Sequence, residues 1–221
     1  MIKTLFADQI FHDNRWDLVE PWASKMVEDM YGEITNTPQS YTTDPSPVEG
    51  FDTPMGWWWR NNQIFKDTIS KEAEAWLLKS LKEYFFNVLQ HTLYQEEYLF
   101  MHYIWPVVIT TGSYVVPHIH RGAGNHFISG GLCLRASEGH ALTFHSPRSF
   151  FSEPFKLKNM ANSNEVGIPV KSGDLLFWKS DAIHEIKQNN TTEPLVFIGF
   201  DVGLFRPHPP EHLCYKIESY E

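Results

Sequence analysis

The texture of this chain changes at Gln95, and that change constrains the fold more than any other feature. Beyond it the sequence breaks into short runs rich in β-branched and aromatic residues: Tyr98–Thr111, Tyr114–Pro117, Phe127–Ala136, Ala141–His145, Val166–Val170, Asp174–Trp178, Ile183–Lys187 and Pro194–Val202. Clusters of Gly, Asn, Ser and Pro separate them. Such runs suit pleated, half-buried strands, and many of them with regular punctuation point to a sandwich or barrel.

Before Gln95 the periodicity is helical. Over residues 69–93, Leu77, Leu81, Tyr84, Phe85 and Val88 recur at three- and four-residue steps, with Lys71, Glu72, Glu74, Lys79 and Lys82 on the other face. Residues 15–30 repeat the spacing at Trp16, Val19, Met26 and Met30, although Pro21 argues against a continuous helix. Residues 2–11 read as an edge strand. Residues 36–56, with Pro38, Pro45, Pro47, Pro54, Gly50 and Gly56, read as a loop leading into Trp57-Trp58-Trp59. The expected fold is α+β, mainly β. It comprises one domain over residues 1–221: a helical part (1–95), a jelly-roll or cupin-like core (96–205) with the helices packed on it, and a C-terminal tail (206–221).

With 221 residues the chain can enclose one sizeable core and is short for two. Its 27 acidic side chains against 18 basic ones give a formal charge of −9, which disfavours general nucleic-acid binding. Two cysteines cannot build a disulfide framework. The N-terminus lacks the apolar core of a signal peptide, and no apolar run approaches a membrane span. A cytoplasmic protein is expected.

Of eleven histidines, His12, His91, His102, His208 and His212 are isolated and read as surface or satisfied core residues. His118-Ile119-His120 is different, because it follows the strand-like run Thr110–Pro117. In an extended chain, residues two apart point to one side, so both imidazoles can grip a single ion. Neutral imidazole suits iron, zinc, copper and nickel. His184, which follows the turn and strand Ser172-Gly173-Asp174-Leu175-Leu176-Phe177-Trp178, is the best third ligand. Other signatures fail. His184-Glu185 begins a zincin pattern, but Gln188 stands where its second histidine belongs. There is no Cys-x-x-Cys, no Gly-rich phosphate loop and no nucleophile-elbow serine.

Residues 98–203 resemble the 2-oxoglutarate/iron(II) oxygenase family found in marine bacteria and phages. The pieces that carry the resemblance are Trp105, His118-Ile119-His120, Ser129-Gly130-Gly131-Leu132-Cys133-Leu134 and Gly173-Asp174-Leu175-Leu176-Phe177 with His184. The resemblance implies a double-stranded β-helix core, iron(II) held by His118, His120 and His184, and 2-oxoglutarate as co-substrate. It implies hydroxylation of a C–H bond in a small molecule, amino acid or peptide.

Two departures from the pattern stand out. The superfamily usually ligates iron by His-x-Asp/Glu and a distal His, and here the carboxylate position is His120, so either the site is all-histidine or only His118 and His184 bind and water fills the gap. In a shifted frame, His120-Arg121-Gly122 resembles the His-x-Gly of iron halogenases. The base that many relatives place about ten residues after the last histidine is also missing, because Glu193-Pro194-Leu195-Val196 holds none. A buried carboxylate needs a partner, and the resemblance points to Arg135, on the strand after Ser129-Gly130 where some similar oxygenases place a co-substrate Lys, with Arg148 as second choice. Tyr103, Trp105, Tyr114 and His126 are candidates to line a substrate pocket. Trp178 and the Trp57–Trp59 cluster are further candidates, Tyr103 and Trp105 come first because they lead into the metal strand, and His145 stands beside His126 as a group that contacts substrate or supports the ligands. Two alternatives stand beside this reading: a cupin-like metal-dependent enzyme that uses no 2-oxoglutarate, and a non-enzymatic jelly-roll binding protein.

Overall fold

A computed structural model describes residues 9–35, 62–91, 93, 98–120, 126–146, 164–205 and 215–217. The elements are β1 (Phe11–Asn14), α1 (Trp16–Thr35), α2 (62–68) and α3 (Lys71–Lys82), which continues as a π-helix (Glu83–Val88). The strands that follow are β2 (Tyr98–Ile109), β3 (Val115–His118), β4 (His126–Arg135), β5 (Ala141–His145), β6 (Glu165–Pro169), β7 (Asp174–Lys179), β8 (His184–Ile186), β9 (Leu195–Phe205) and β10 (Tyr215–Ile217). Two antiparallel sheets result, one ordered β1-β7-β4-β9-β2-β10 and the other β3-β8-β5-β6. They form a double-stranded β-helix with helices on the larger sheet.

Each of the eight runs read from the sequence overlaps a strand, with bounds shifted by one to three residues in most. The first strand lies at Phe11–Asn14, not within residues 9–11 of the expected edge strand, and residues 1–8 lie outside the described residues. It does form an edge, pairing with β7 from Phe11↔Phe177 to Asn14↔Asp174. The position follows from Asp174. This buried carboxylate accepts from Asn14 Nδ2 at 2.6 Å and Lys171 N at 2.7 Å, and lies 3.1 Å from His12 Nε2. The turn ahead of it needs Gly173, at φ +87°, where a Cβ would stand 2.6 Å from the backbone of Trp16. The Gly-Asp pair of the sequence is thus a joint between β7, β1 and α1.

α1 runs through Pro21. An interior proline costs about 3 kcal/mol, but this helix buries Val19, Trp22, Ala23, Met26 and Val27, and packing on that scale outweighs the lost bond. α3 begins at Ser70, whose hydroxyl accepts from Ala73 N at 3.1 Å, a cap contributing about 1 kcal/mol. α2 was not foreseen from the sequence; it buries Asn62 and Phe65. The expected loop over 36–56 and Trp57-Trp58-Trp59 lie outside the described residues. β10, from the expected tail, adds to β2 at the sheet edge.

Strand alternation divides the core in two. Leu175, Phe177, Ile198, Phe200 and Val202 face the helices, with Val19, Met26, Leu77, Leu81, Tyr84 and Phe85. Leu176, Trp178, Cys133, Phe197 and Leu195 turn the other way and meet Leu142, Phe144 and Ile186 of the smaller sheet. By the same alternation Gly199 and Asp201 of β9 face the space between the sheets, at the end where β3 finishes and β8 begins.

Candidate metal centre

His118 closes β3, His184 opens β8, and the two are register partners across the smaller sheet. His120 lies just beyond β3, where its N–H donates to Ser180 O at 2.8 Å. The three rings converge, with centroids 5.1 Å (His118–His120), 4.3 Å (His118–His184) and 4.9 Å (His120–His184) apart. One ring nitrogen from each lies within 4.8 Å of the others.

Neighbouring acceptors fix the tautomers. A carbonyl oxygen can only accept, so His118 Nδ1–H donates to Val116 O at 2.8 Å and His184 Nδ1–H to Ala182 O at 2.9 Å. The Asp201 carboxylate accepts from His120 Nδ1–H at 2.8 Å. Each neutral ring therefore presents Nε2 as a bare lone pair. Burial pushes the His184 imidazole well below the ordinary histidine range, with the charges of His118 and His120 adding to the effect. Burial also lowers His118, opposed by its bond to Val116. Three neutral nitrogen donors turned to one point are a metal-binding set, and the donor chemistry fits iron(II). Iron would be held there by His118, His120 and His184.

Asp201, which the sequence reading missed, organises one side of the centre. Besides His120 it accepts from Ser129 Oγ at 2.6 Å, and its other oxygen lies 3.4 Å from His126 Nδ1. Ser129 Oγ is in turn 2.9 Å from Ser180 Oγ. The sequence held half of the signal, an acidic residue within the apolar run Leu195–Val202, and strand register supplies the other half. His126 is held below the ordinary range by burial, opposed by Asp201.

The structure sorts the other expected site residues. Trp105 lies 5.5 Å from the His120 ring, and Tyr103 packs edge-on against His126 at 5.0 Å. These three surround the His120–Asp201 pair. Tyr114 does not join them. The pleat turns it outward, 44% exposed, onto an open groove of about 420 Å³ that it shares with Glu185, Ile186, Lys187, Gln188 and Asn190. Arg135 is exposed at the far end of β4, six residues from Ser129, or about 20 Å along the strand. Arg121 and Gly122 of the shifted frame and Arg148 lie outside the described residues.

Trp178, which packs against His184 at 4.9 Å, has a buried indole N–H with no hydrogen-bond partner among the described residues. Such a donor beside the histidines suits a carboxylate-bearing co-substrate. His145, Glu165 and Glu185 also bring ligand atoms within 4.8 Å, on the outer face of the smaller sheet. Lys187 Nζ stands 2.7 Å from Glu165 and 4.0 Å from Glu185, so that group already holds its cation.

Comparison with known proteins agrees with this geometry. Residues 103–201, which include all three histidines and Asp201, match the family model described as "Putative 2OG-Fe(II) oxygenase". Among solved structures, AviO1 from Streptomyces viridochromogenes is 15% identical over 92% of this chain and 92% of its own, with a TM-score of 0.54. The epimerase SnoN, in complex with Fe3+, α-ketoglutarate and nogalamycin RO, is 11% identical over 91% of this chain and 82% of its own, with a TM-score of 0.55. A 2OG-Fe(II) oxygenase family oxidoreductase from Burkholderia pseudomallei is 10% identical over 56% of this chain, which spans 52% of that protein, with a TM-score of 0.43. At these identities the likeness is one of fold. No curated protein sequence matches the chain. Residues 103–201 are thus similar to the 2OG-Fe(II) oxygenases, and the three-histidine site suits the cofactors of that family, iron(II) and 2-oxoglutarate.

Proposed function

We propose that this oxygenase hydroxylates a C–H bond of a small molecule, amino acid or peptide. The observation that supports the reading most is the convergence of three Nε2 atoms whose Nδ1 atoms are each held by an acceptor. Bound iron(II), with 2-oxoglutarate and oxygen, supplies the oxidising chemistry, and succinate and carbon dioxide are released. The chain's own residues orient and shield. His118, His120 and His184 would hold the ion. Trp105 and Tyr103 wall the space next to His120 and keep water from it. His126, anchored to Asp201, presents an imidazole edge to whatever enters.

The distal carboxylate of 2-oxoglutarate calls for a base. Arg135, exposed and about 20 Å along β4 from Ser129, lies beyond the reach of a side chain. Arg148, three residues after β5, takes the role in this proposal. Trp178 adds a neutral donor.

The test is succinate release by iron-loaded protein across a panel of amino acids, peptides and small metabolites, with product mass read alongside. Substrate-dependent succinate and a gain of one oxygen support the proposal. Succinate with no mass change would instead indicate epimerisation, the reaction named for SnoN. Iron uptake with no succinate and no 2-oxoglutarate binding would favour the cupin-like reading. Arg148→Ala should raise the 2-oxoglutarate requirement at least tenfold, since a charge-assisted bond contributes roughly 1.5–3 kcal/mol. Arg135→Ala should leave it unchanged.

A further inference from the structure

We propose that Asp201 is the carboxylate of this metal centre set one residue back: a positioning residue that supplies, through His120, the negative charge its three-imidazole ligand set lacks. This rests on His118, His120 and His184 being the ligands.

Asp201 is buried at 6% exposure on the inward side of β9. Its partners among the described residues are two imidazoles and one hydroxyl: His120 Nδ1 at 2.8 Å, Ser129 Oγ at 2.6 Å and His126 Nδ1 at 3.4 Å. A carboxylate withdrawn from water needs a positive counterpart, and none of these is a permanent cation. A divalent ion on the opposite side of the His120 ring provides one. The arrangement serves the ion in return. An imidazole whose N–H is held by a carboxylate is a more basic ligand with a fixed ring plane. The same cluster fixes His120 at two points. Its ring is held by Asp201, and its backbone N–H by Ser180 O at 2.8 Å. Ser180 also binds, through its hydroxyl, the Ser129 that holds Asp201. A residue serving only to fill space would not need its two oxygens divided between a ligand histidine and a second imidazole.

Asp201→Asn keeps the shape and removes the charge. Co(II) affinity, measured by chelator competition, should fall 10- to 100-fold, the loss typical when an outer partner of a ligand histidine is removed. Unfolding of the metal-free protein reports whether the fold is kept. In the Co(II) protein, exchangeable imidazole N–H resonances give a second readout. Asp201→Asn should move that of His120 and leave those of His118 and His184, which are bonded to carbonyls.

The sharpest arm is the His120→Asp background, which puts a carboxylate in the ligand set beside Asp201. With no imidazole to link Asp201 to the ion, Asp201→Asn should change Co(II) affinity there by much less than in the parent. The effect shrinks between backgrounds, which a packing role would not produce. Affinity within twofold of the parent, or an equal loss in both backgrounds, overturns the proposal. Should Asp201→Asn fail to fold, Ser129→Ala removes the 2.6 Å bond to Asp201 together with the contact to Ser180, and keeps the carboxylate. It should weaken Co(II) binding in the same direction by less, and unchanged affinity there overturns the proposal as well. A parent protein that takes up no Co(II) overturns the ligand assignment itself. A parent that binds Co(II) and is indifferent to Asp201→Asn overturns only the role of Asp201.

Discussion

His118 and His120 bring their Nε2 atoms to 3.1 Å while the Nδ1 of each is already committed, one to Val116 O and the other to Asp201. With both rings neutral there is no proton between the two Nε2 atoms, and two lone pairs face each other. A shared proton or a metal ion relieves that contact, and the spacing is one that adjacent ligands of one ion can adopt.

His118→Ala and His184→Ala should therefore lose stoichiometric iron while the protein still folds, as read by metal analysis and circular dichroism. His120→Ala should bind iron more weakly without losing it, because water can enter the gap. Stripping metal from the parent should lower Tm, and restoring it should recover the loss, since a ligand that binds only the folded state stabilises it. Wild-type iron content in both the His118 and His184 variants would show the site to be elsewhere.

The histidine cluster was legible because its signal is local. Two histidines sit two apart at a strand end, and a third follows a strand opened by a Gly-Asp turn. The strands were legible for the same reason, each lying between turn-forming residues. What escaped depends on register. Asp201 meets His120 across 81 residues, and only the pairing of β9 with β4, Asp201 opposite Ser129, shows that it faces inward. Arg135 shares its strand with Ser129, and nothing in the sequence reports that six further residues carry it away from the histidines to an exposed end. Tyr114 is four residues from His118, yet the pleat and the irregular pairing between Val115 and His118 leave it on the outer groove. In the helical part, Pro21 spoke locally against α1 and was outweighed by a buried face that only the assembled sheet provides.

Metal retention should extend into mildly acidic solution. Protons compete with the ion for the same Nε2 atoms, and burial holds His118 and His184 below the ordinary value of 6.5. They stay neutral where a free imidazole is half protonated, so occupancy should persist through that pH and fall only lower. In the metal-free protein the unfolded chain binds more protons than the folded one below that value. Stability should thus be full above it and decline as the pH drops toward the folded-state values. Metal content and urea midpoints across about pH 8 to about pH 5 check both statements. Complete metal loss already at the ordinary histidine value would contradict the first.

Gly199 is the seat of the Trp105 indole. A Cβ there would stand 2.6 Å from Trp105 Cε2 and 2.8 Å from its Nε1, and the ring beyond lies 5.5 Å from His120. Gly199→Ala should cost about 1–3 kcal/mol through overpacking and weaken metal binding by driving the indole toward His120. Adding Trp105→Leu should recover most of the lost stability, because the smaller side chain leaves room for the methyl. Urea midpoints of the two single variants and the double one decide the matter. Additive losses would mean that the two residues do not share the space.

The choice between hydroxylation and halogenation turns on which histidine comes first in the ligand set. In the halogenase frame His120 is the first ligand, Gly122 leaves a position open for chloride, and His118 has no role at the metal. His118, however, ends β3 opposite His184, carries its own Nδ1 anchor, and brings its Nε2 within 3.1 Å of that of His120. A histidine outside the ligand set would have no reason to keep a bare nitrogen in that position. Gly122, with a second glycine two positions on at Gly124, reads from the sequence alone as a turn former. Turnover should accordingly proceed without chloride, and added chloride should leave the product unchanged. The mass of the product should rise by one oxygen atom. A chlorine isotope pattern that appears only with chloride and disappears in Gly122→Asp would move the ligand set to His120 and His184 and leave His118 outside it.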